Sequence, residues 1–413
     1  MATKKIIIGI LIVIVAGIGY YGYTDTAGEK PEPQSSGQAT ASSTASAGTA
    51  LLSTANTAPI TKETVNIGVI VPLTGAQAAY GQGIKEGLDL SADGINNTPR
   101  FGIHINLIYE DTESDIKNAP SAARKLTSKD HVVALITSLS PISLSVAPIA
   151  EETKTVLLTM ASLSAKLNTA GPYVFKNDDI GKGLGTALAD EAIRRGFKSA
   201  ATLFAEYNDG VTEYHDSFIK EFKAKGGTIT GTEGFNNDMT DFRTALQKLL
   251  AHPPAGGPAA IAIMGLQRDC ALAARQVREL GYKGQLLGSL CYDDPTVVEA
   301  AGAAVEGVVM TSFNGEPSAQ FTELTKNKYG HEPLRWSVEA FDGLRLLALG
   351  LSRAESGNPP AGGPVTGYSL QGALAEITSY KGEAGTVTFD KDGNARRALH
   401  VKEVKDGKIV EVK

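Results

Sequence analysis

Short apolar runs rich in β-branched residues alternate with longer amphipathic stretches from residue 65 to residue 310. The runs predict strands over residues 65–71, 104–109, 132–136, 155–159, 200–204, 228–231, 259–264, 285–287 and 307–310. Helical patterns lie between them, for example over residues 83–95, 119–128, 183–195, 212–225, 240–250 and 270–280. Strands that are apolar without alternation are covered on both faces, which is typical of parallel sheets. We therefore predict an α/β fold, and about ten strands favour two sheets over one.

The alternation ends near the C-terminus of the chain. Residues 385–389, 399–404 and 409–412 are short apolar runs separated by polar turns. Asp406 and Gly407 supply residues that adopt the left-handed conformation of a tight turn. We predict antiparallel strands in this region.

Residues 6–23 form an uncharged apolar run preceded by Lys4 and Lys5. At 1.5 Å per residue the run spans about 27 Å, which is just enough to cross a bilayer. The basic residues before it favour an orientation that places the rest of the chain outside the cytoplasm. We predict an N-terminal transmembrane helix within residues 1–23, and a cleaved signal peptide is the alternative.

Residues 24–63 are dominated by Ser, Thr, Ala, Gly and Pro. Such a segment buries too little apolar surface to offset its chain entropy, so it is predicted to be a flexible linker. A coil of this length has a root-mean-square reach of about 35 Å. The folded part is therefore expected to stay near a membrane while remaining free to reorient.

The formal charge of −6 argues against nucleic acid as a partner, because phosphate binding needs a concentrated basic face. The six histidines are scattered and form no H-x-x-x-H pair, and no G-x-S-x-G or P-loop motif occurs. The Gly181-x-Gly183-x-Gly185 segment lacks the third glycine of a dinucleotide-binding loop. We predict no metal, no cofactor and no enzymatic activity.

A set of short motifs appears in a defined order along residues 64–413. The set comprises Pro72-Leu-Thr-Gly75, Tyr80-Gly81, Asp111-Thr112, Ser138-Leu-Ser140, Ala147-Pro148, Tyr173-Val-Phe175-Lys176, Asp241-Phe242, Glu306-Gly307, Phe341-Asp342 and Gly385-x-Val387-x-Phe389-Asp390. Each motif is weak alone, but together they resemble the type I periplasmic binding proteins of the branched-chain amino acid (Leu/Ile/Val) class, the substrate-binding components of ABC transporters.

The resemblance implies two Rossmann-like lobes with parallel central sheets, joined by three hinge crossings, with ligand held between them. We expect the crossings near Lys176, Thr311 and Tyr380. Lobe 1 then comprises residues 64–176 plus 312–380, and lobe 2 comprises residues 177–311 plus 381–413. Closure around ligand is expected to create a docking surface for a membrane permease.

Ligands of parallel α/β sheets bind beyond the carboxyl ends of strands, so candidate residues come from those loops. In lobe 1 the resemblance implies that hydroxyl residues hold the carboxylate and ammonium of the ligand and that an aromatic ring covers it. The candidates are Tyr80, Ser138, Ser140, Ser162 and Ser164. A serine donates and accepts without adding charge, which suits this role; ordinary capping of the local backbone is the alternative for these serines.

Lobe 2 departs from the pattern that the resemblance implies. Either Tyr207 or Asp209 falls where the proteins of that class often have a tyrosine. In those proteins an acidic residue that pairs with the ligand ammonium would usually lie near Leu290. The remaining candidates in the cleft are Gln267, Tyr292, Asp293 and Phe341. These departures put an ordinary leucine, isoleucine or valine ligand in doubt.

The chain contains two cysteines, Cys270 and Cys291, each just after a predicted strand. If the strands are neighbours, the cysteines could come within bridging distance, and outside the cytoplasm a disulfide would persist. Two buried thiols are the alternative.

The leading hypothesis is a monomeric, membrane-tethered and extracytoplasmic solute-binding protein of an ABC importer. It would capture an amino acid or a related small polar ligand and deliver it to a permease. The alternative is a sensory ectodomain that reports ligand to a membrane partner. A third option is an exported α/β enzyme, for which the sequence shows no nucleophile or metal set.

Overall fold

The computed structural model of the protein describes residues 63–98, 102–251, 257–313, 315–356, 365–390 and 394–412. The described strands form three sheets, which we call A, B and C. The predicted anchor (residues 1–23) and almost all of the predicted linker (residues 24–63) lie outside the described residues. Among the residues that are described, no helix is both long enough and apolar enough to span a membrane.

Sheet A has five parallel strands in the order β2-β1-β3-β4-β5. The strands are β1 (Glu63–Val71), β2 (Ile103–Asp111), β3 (Ala134–Ser138), β4 (Val156–Met160) and β5 (Val174–Lys176). All five residues of β3 and of β4 are buried. Burial on both faces explains why these strands are apolar without alternation.

Sheet B has seven strands in the order β15-β14-β10-β9-β8-β6-β7. The strands are β6 (Ser199–Ala205), β7 (Thr228–Phe235), β8 (Ala260–Met264), β9 (Gln285–Gly288), β10 (Val309–Ser312), β14 (His400–Lys405) and β15 (Lys408–Glu411). Strands β6 to β10 are parallel, whereas β14 is antiparallel to both β10 and β15. Asp406 and Gly407 have positive φ in the β14–β15 turn, so the predicted hairpin is confirmed.

Sheet C is a small antiparallel sheet of β11 (Ser379–Gly382), β12 (Gly385–Phe389) and β13 (Ala395–Arg397). The Asp342 carboxylate accepts the backbone N–H groups of Glu383 and Ala384 at 2.9 and 2.7 Å, which ties the β11–β12 turn to a neighbouring helix.

Most of the described α-helices pack against the two large sheets. The described α-helices are α1 (Ala78–Asn96), α2 (Asn118–Ser128), α3 (Ser140–Thr153), α4 (Gly181–Arg194), α5 (Asp209–Ala224), α6 (Arg243–Ala251), α7 (Gln267–Glu279), α8 (Pro295–Ala301), α9 (Ala319–Tyr329), α10 (Arg335–Ser356) and α11 (Gly367–Ala375). Helices α1, α2, α3, α10 and α11 contact each other and sheet A, whereas α4 to α8 contact each other and sheet B. We call sheet A with its helices and connecting loops the sheet A half, and sheet B with its helices and connecting loops the sheet B half.

The chain passes between the halves three times. It leaves sheet A after Lys176, leaves sheet B after Ser312, and returns to sheet B at His400. The assignment of residues to lobes stays a prediction. Tyr380 lies in sheet C, and the chain rejoins sheet B at His400.

A disulfide joins Cys270 in α7 to Cys291, which follows β9. Both cysteines are buried, and β8 and β9 are adjacent strands, so helix and loop start from neighbouring points on one edge of the sheet. The bond therefore fixes the start of α7 against the loop after β9.

We expect the Cys270→Ala/Cys291→Ala variant to have a free energy of unfolding about 3 kcal/mol lower than the native protein, because a bridge across some 20 residues restricts the unfolded chain. Urea denaturation measures the loss. The native protein under reducing conditions keeps both side chains and is the matched control. Equal urea midpoints for the variant, the native protein and the reduced native protein would contradict the expectation.

Candidate ligand-binding site

Two neighbouring cavities lie where the carboxyl ends of the strands in sheet A meet those in sheet B. Each parallel sheet changes strand order beside its first strand, β1 in sheet A and β6 in sheet B. Loops that follow such strands diverge and leave a crevice. Helices α1, α3, α5 and α7 all begin at this crevice.

The inner cavity has a volume of about 30 Å³ and is lined by residues from both halves. Its lining residues are Tyr80, Leu139, Ser140, Ala161, Leu163, Asn208, Val211, Tyr214, Gly265, Leu266, Ser289, Leu290 and Trp336. The outer cavity has a volume of about 220 Å³. Tyr80 and Leu266 line both cavities, so the two spaces are adjacent.

Two lining residues of the inner cavity have strained backbones. Leu139 has φ of 64° and Ala161 has φ of 50°, and neither is glycine. The left-handed conformation costs such residues about 1–2 kcal/mol each. Each follows directly on a buried strand, β3 or β4. Strain of this kind concentrates at ligand sites, where it fixes the position of backbone groups.

An aromatic wall closes one side of the inner cavity. The rings of Tyr80 and Trp336 stack with centroids 5.3 Å apart, and the guanidinium of Arg335 lies 4.6 Å from the Trp336 ring centroid. Burial raises the pKa of Tyr80, so its hydroxyl stays protonated. This wall offers a flat surface to an apolar ligand group.

The polar groups of the cavities are held by other side chains. Tyr207 donates its hydroxyl proton to Asp269 at 3.0 Å, and Asp269 also accepts the backbone N–H of Leu266. Gln267 donates to Asp294 at 2.6 Å. Burial raises the pKa of both Asp269 and Asp294.

The two halves contact each other around the cavities. Gln77 donates to Asn237 across the outer cavity at 2.8 Å. The Glu213 carboxylate accepts the Ser164 hydroxyl and the Ala165 backbone N–H at 3.1 and 2.8 Å. These contacts join residues of one half to residues of the other, so the crevice is closed.

Four of the predicted site residues line the cavities. Tyr80 and Ser140 line the inner cavity, and Tyr80, Tyr207 and Gln267 line the outer one. The Ser140 hydroxyl accepts the backbone N–H of Ser164 at 3.2 Å. Their role in binding stays a prediction.

The other predicted hydroxyl and acidic residues lie beside the crevice rather than on the cavity walls. Ser162 bonds to Ser143 and to the Met160 carbonyl, and Ser138 is fully buried. Ser164 contacts Glu213, as described above. Asp209 pairs with Lys166 at the outer edge of the same contact between the halves.

Three further predicted residues have structural contacts of their own. Tyr292 is buried and donates to the Cys270 carbonyl at 3.1 Å. Asp293 belongs to a buried group of charges with Arg335 and Lys402. Phe341 packs edge-on against Phe321, with ring centroids 5.0 Å apart.

Sequence reasoning missed several cavity residues. Trp336, the single tryptophan of the chain, comes from the start of α10, and Asn208 and Val211 come from the start of α5. For Trp336, the signal in the sequence was a single tryptophan directly after an arginine. Within the part of the chain that is described, no three His, Cys, Asp or Glu side chains lie where they could hold a metal ion.

Comparison with known proteins places the chain in a family. The family model described as periplasmic binding protein matches residues 64–408. The chain belongs to the periplasmic binding protein family. This periplasmic binding protein therefore has a type I α/β fold, in a family of ligand-binding proteins that are not enzymes. Membership also implies a location outside the cytoplasm.

Relatives of this periplasmic binding protein include Leu/Ile/Val-binding protein homolog 2 of Brucella abortus, which is 25% identical over 82% of this chain and 89% of the relative. The leucine-binding protein of Thermotoga maritima has a TM-score of 0.76 and 28% identity over 84% of this chain and 98% of that protein. A solute-binding protein of an ABC transporter from Rhodopseudomonas palustris, solved with 3,4-dihydroxybenzoic acid, has a TM-score of 0.76 and 24% identity over 84% of this chain and 96% of that protein.

Proposed function

We propose that the protein captures an amino acid or a related small polar solute between its two halves and delivers it to the permease of an ABC importer. The observation that carries this proposal is the pair of cavities at the carboxyl ends of both sheets. Their walls come from both halves, so a bound molecule would hold the halves together. Residues 177–180, 315–318 and 397–400 would act as the hinge.

The relatives support an importer role over the sensing alternative. The Brucella and Thermotoga relatives bear the names of amino-acid-binding proteins, and the Rhodopseudomonas protein is a solute-binding component of an ABC transporter. We infer from the sequence of residues 1–23 that the folded part is tethered to the membrane. A monomeric state is also part of the proposal.

Ligand is expected to raise the melting temperature, because it binds the folded state alone. At a concentration of 100 times Kd the stabilisation is about 2.7 kcal/mol. Ser140→Leu should abolish the shift, because a larger side chain fills the inner cavity. Ser145→Leu is the matched control, since Ser145 lies on the same helix and does not line either cavity.

Differential scanning fluorimetry with amino acids, amides and small carboxylates measures these shifts. If no compound in this screen changes the melting curve of the native protein, solute capture is refuted.

A further inference from the structure

The inner cavity is uncharged. Its lining comprises apolar residues, two serines, one asparagine and three aromatic residues, with no Asp, Glu, Lys, Arg or His among them. Leu163 and Leu290 bring apolar side chains to its opposite walls, one from each half. A charged ammonium group placed here would lose its hydration without gaining a carboxylate partner.

The nearby carboxylates already have partners. Asp269 accepts from Tyr207, from the Leu266 backbone and from Arg268. Asp294 accepts from Gln267 and from Thr296. Each of these acids is almost fully buried. Most of the acceptor capacity of Asp269 is therefore in use, and Asp294 lines neither cavity.

The same cavity favours a negative group. Helices α3, α5 and α7, which have 14, 16 and 13 residues, begin at residues that line or adjoin it. Helix α3 starts at Ser140 without a side-chain cap. The start of a helix carries partial positive charge and backbone N–H groups that lack helical acceptors, so it attracts a carboxylate.

A second, independent feature is an acceptor without a donor. Gln267 lines the outer cavity, is 6% exposed, and its Oε1 atom is buried without a hydrogen-bond partner. The bond from its Nε2 atom to Asp294 fixes the orientation of the amide. A buried acceptor left unpaired is costly, so a ligand that supplies a donor to this atom would stabilise the site.

We propose that the crevice selects an organic carboxylate that lacks a charged amino group, has an apolar body, and carries an uncharged hydroxyl that faces Gln267. The carboxylate lies at the start of α3, the body lies against Tyr80 and Trp336, and the hydroxyl donates to Oε1 of Gln267. This inference rests on the proposed function and names the class of solute within it.

Matched pairs of compounds test the proposal by isothermal titration calorimetry on the full chain. Tyrosine and 3-(4-hydroxyphenyl)propanoate differ only in the amino group, as do leucine and 4-methylpentanoate. In each pair we expect the compound without the amino group to bind at least tenfold more tightly. Equal or tighter binding of the amino acids would overturn this inference and leave solute capture standing. If none of the four compounds binds, this inference is overturned, and the fluorimetry screen of amino acids, amides and small carboxylates decides whether solute capture stands.

Two variants at one position separate charge from size. In Leu290→Glu the new carboxylate should weaken binding of 3-(4-hydroxyphenyl)propanoate at least tenfold more than Leu290→Gln does, and should shift the preference towards tyrosine. Gln has nearly the same shape without the charge, so a general loss of packing affects both variants alike. Equal effects of the two variants would contradict the proposal.

Gln267→Met tests the acceptor. The native protein should prefer 3-(4-hydroxyphenyl)propanoate over 3-phenylpropanoate, and the variant should bind the two equally within about twofold. A purely structural role of Gln267 would weaken both compounds and keep their ratio, which would refute the contact.

Discussion

Replacing Arg335 by methionine is expected to lower the free energy of unfolding by about 3–5 kcal/mol, because it removes the ion-pair partner of the buried Glu339 and one of the two cations that pair with Asp293. Arg335 is 1% exposed at its side chain and contacts Asp293 at 2.5 Å and Glu339 at 2.7 Å. It also donates to Ser312 at 2.7 Å. Burial and the neighbouring Asp178 raise the pKa of Glu339, and Arg335 opposes that effect.

The position of Arg335 makes this loss relevant to function. Arg335 begins α10 in the sheet A half, whereas Asp293 follows β9 and Ser312 ends β10 in the sheet B half. Lys402 of β14 donates to the same Asp293 carboxylate at 2.9 Å. The buried charges therefore join the halves beside two of the crossings, and the Arg335 guanidinium lies against the Trp336 ring.

Urea denaturation of the full chain measures the effect. Arg243→Met is the matched control, because Arg243 is 47% exposed at its side chain and pairs with Glu279 on the surface. Removal of an exposed pair should cost about 0–1 kcal/mol. If Arg335→Met costs no more than Arg243→Met, the buried charges do not hold the halves together.

The central strands of both sheets are predictable from the sequence because they are buried on both faces. A short apolar run such as β8 is typical of a strand that is covered on both faces. The β14–β15 hairpin is predictable for a different reason, since its turn residues need positive φ.

Helix α10 shows where the pattern fails. Arg335, Glu339 and Asp342 are all buried on this helix, at a spacing that normally marks its solvent face. Hydrophobic periodicity assumes that charges face water. These charges instead form ion pairs and accept backbone N–H groups, which a periodic pattern cannot reveal.

The candidate site was predictable only in part, for a similar reason. Of the residues predicted from the loops after strands, Tyr80, Ser140, Tyr207 and Gln267 line the cavities, and their role in binding stays a prediction. Which hydroxyl faces the cavity depends on the local hydrogen bonds, and Ser162 turns towards Ser143 instead. Trp336 reaches the cavity from a helix that begins after the second crossing, a contact that only the tertiary fold brings about.

Gly210→Val is expected to weaken ligand binding by up to about 100-fold, and Gly210→Ala by about tenfold. Gly210 lies in the first turn of α5, in the sheet B half. A Cβ atom there would lie 2.8 Å from the Ser140 hydroxyl and 2.9 Å from the Leu163 Cβ, both in the sheet A half. Overpacking of this kind costs about 1–3 kcal/mol, which corresponds to tenfold to 100-fold in affinity.

The clash at Gly210 is between residues of opposite halves, so it opposes closure of the halves around ligand. Gly183→Ala is the matched control: Gly183 also lies in a helix of the sheet B half, and the nearest atom to an added Cβ is 3.8 Å away. Alanine in place of a helical glycine restricts the unfolded chain, so both Ala variants should match or slightly exceed the native melting temperature without ligand. Only Gly210→Ala should then lose affinity in calorimetry. If it binds ligand as tightly as Gly183→Ala, the closed contact at Gly210 is not part of the bound state.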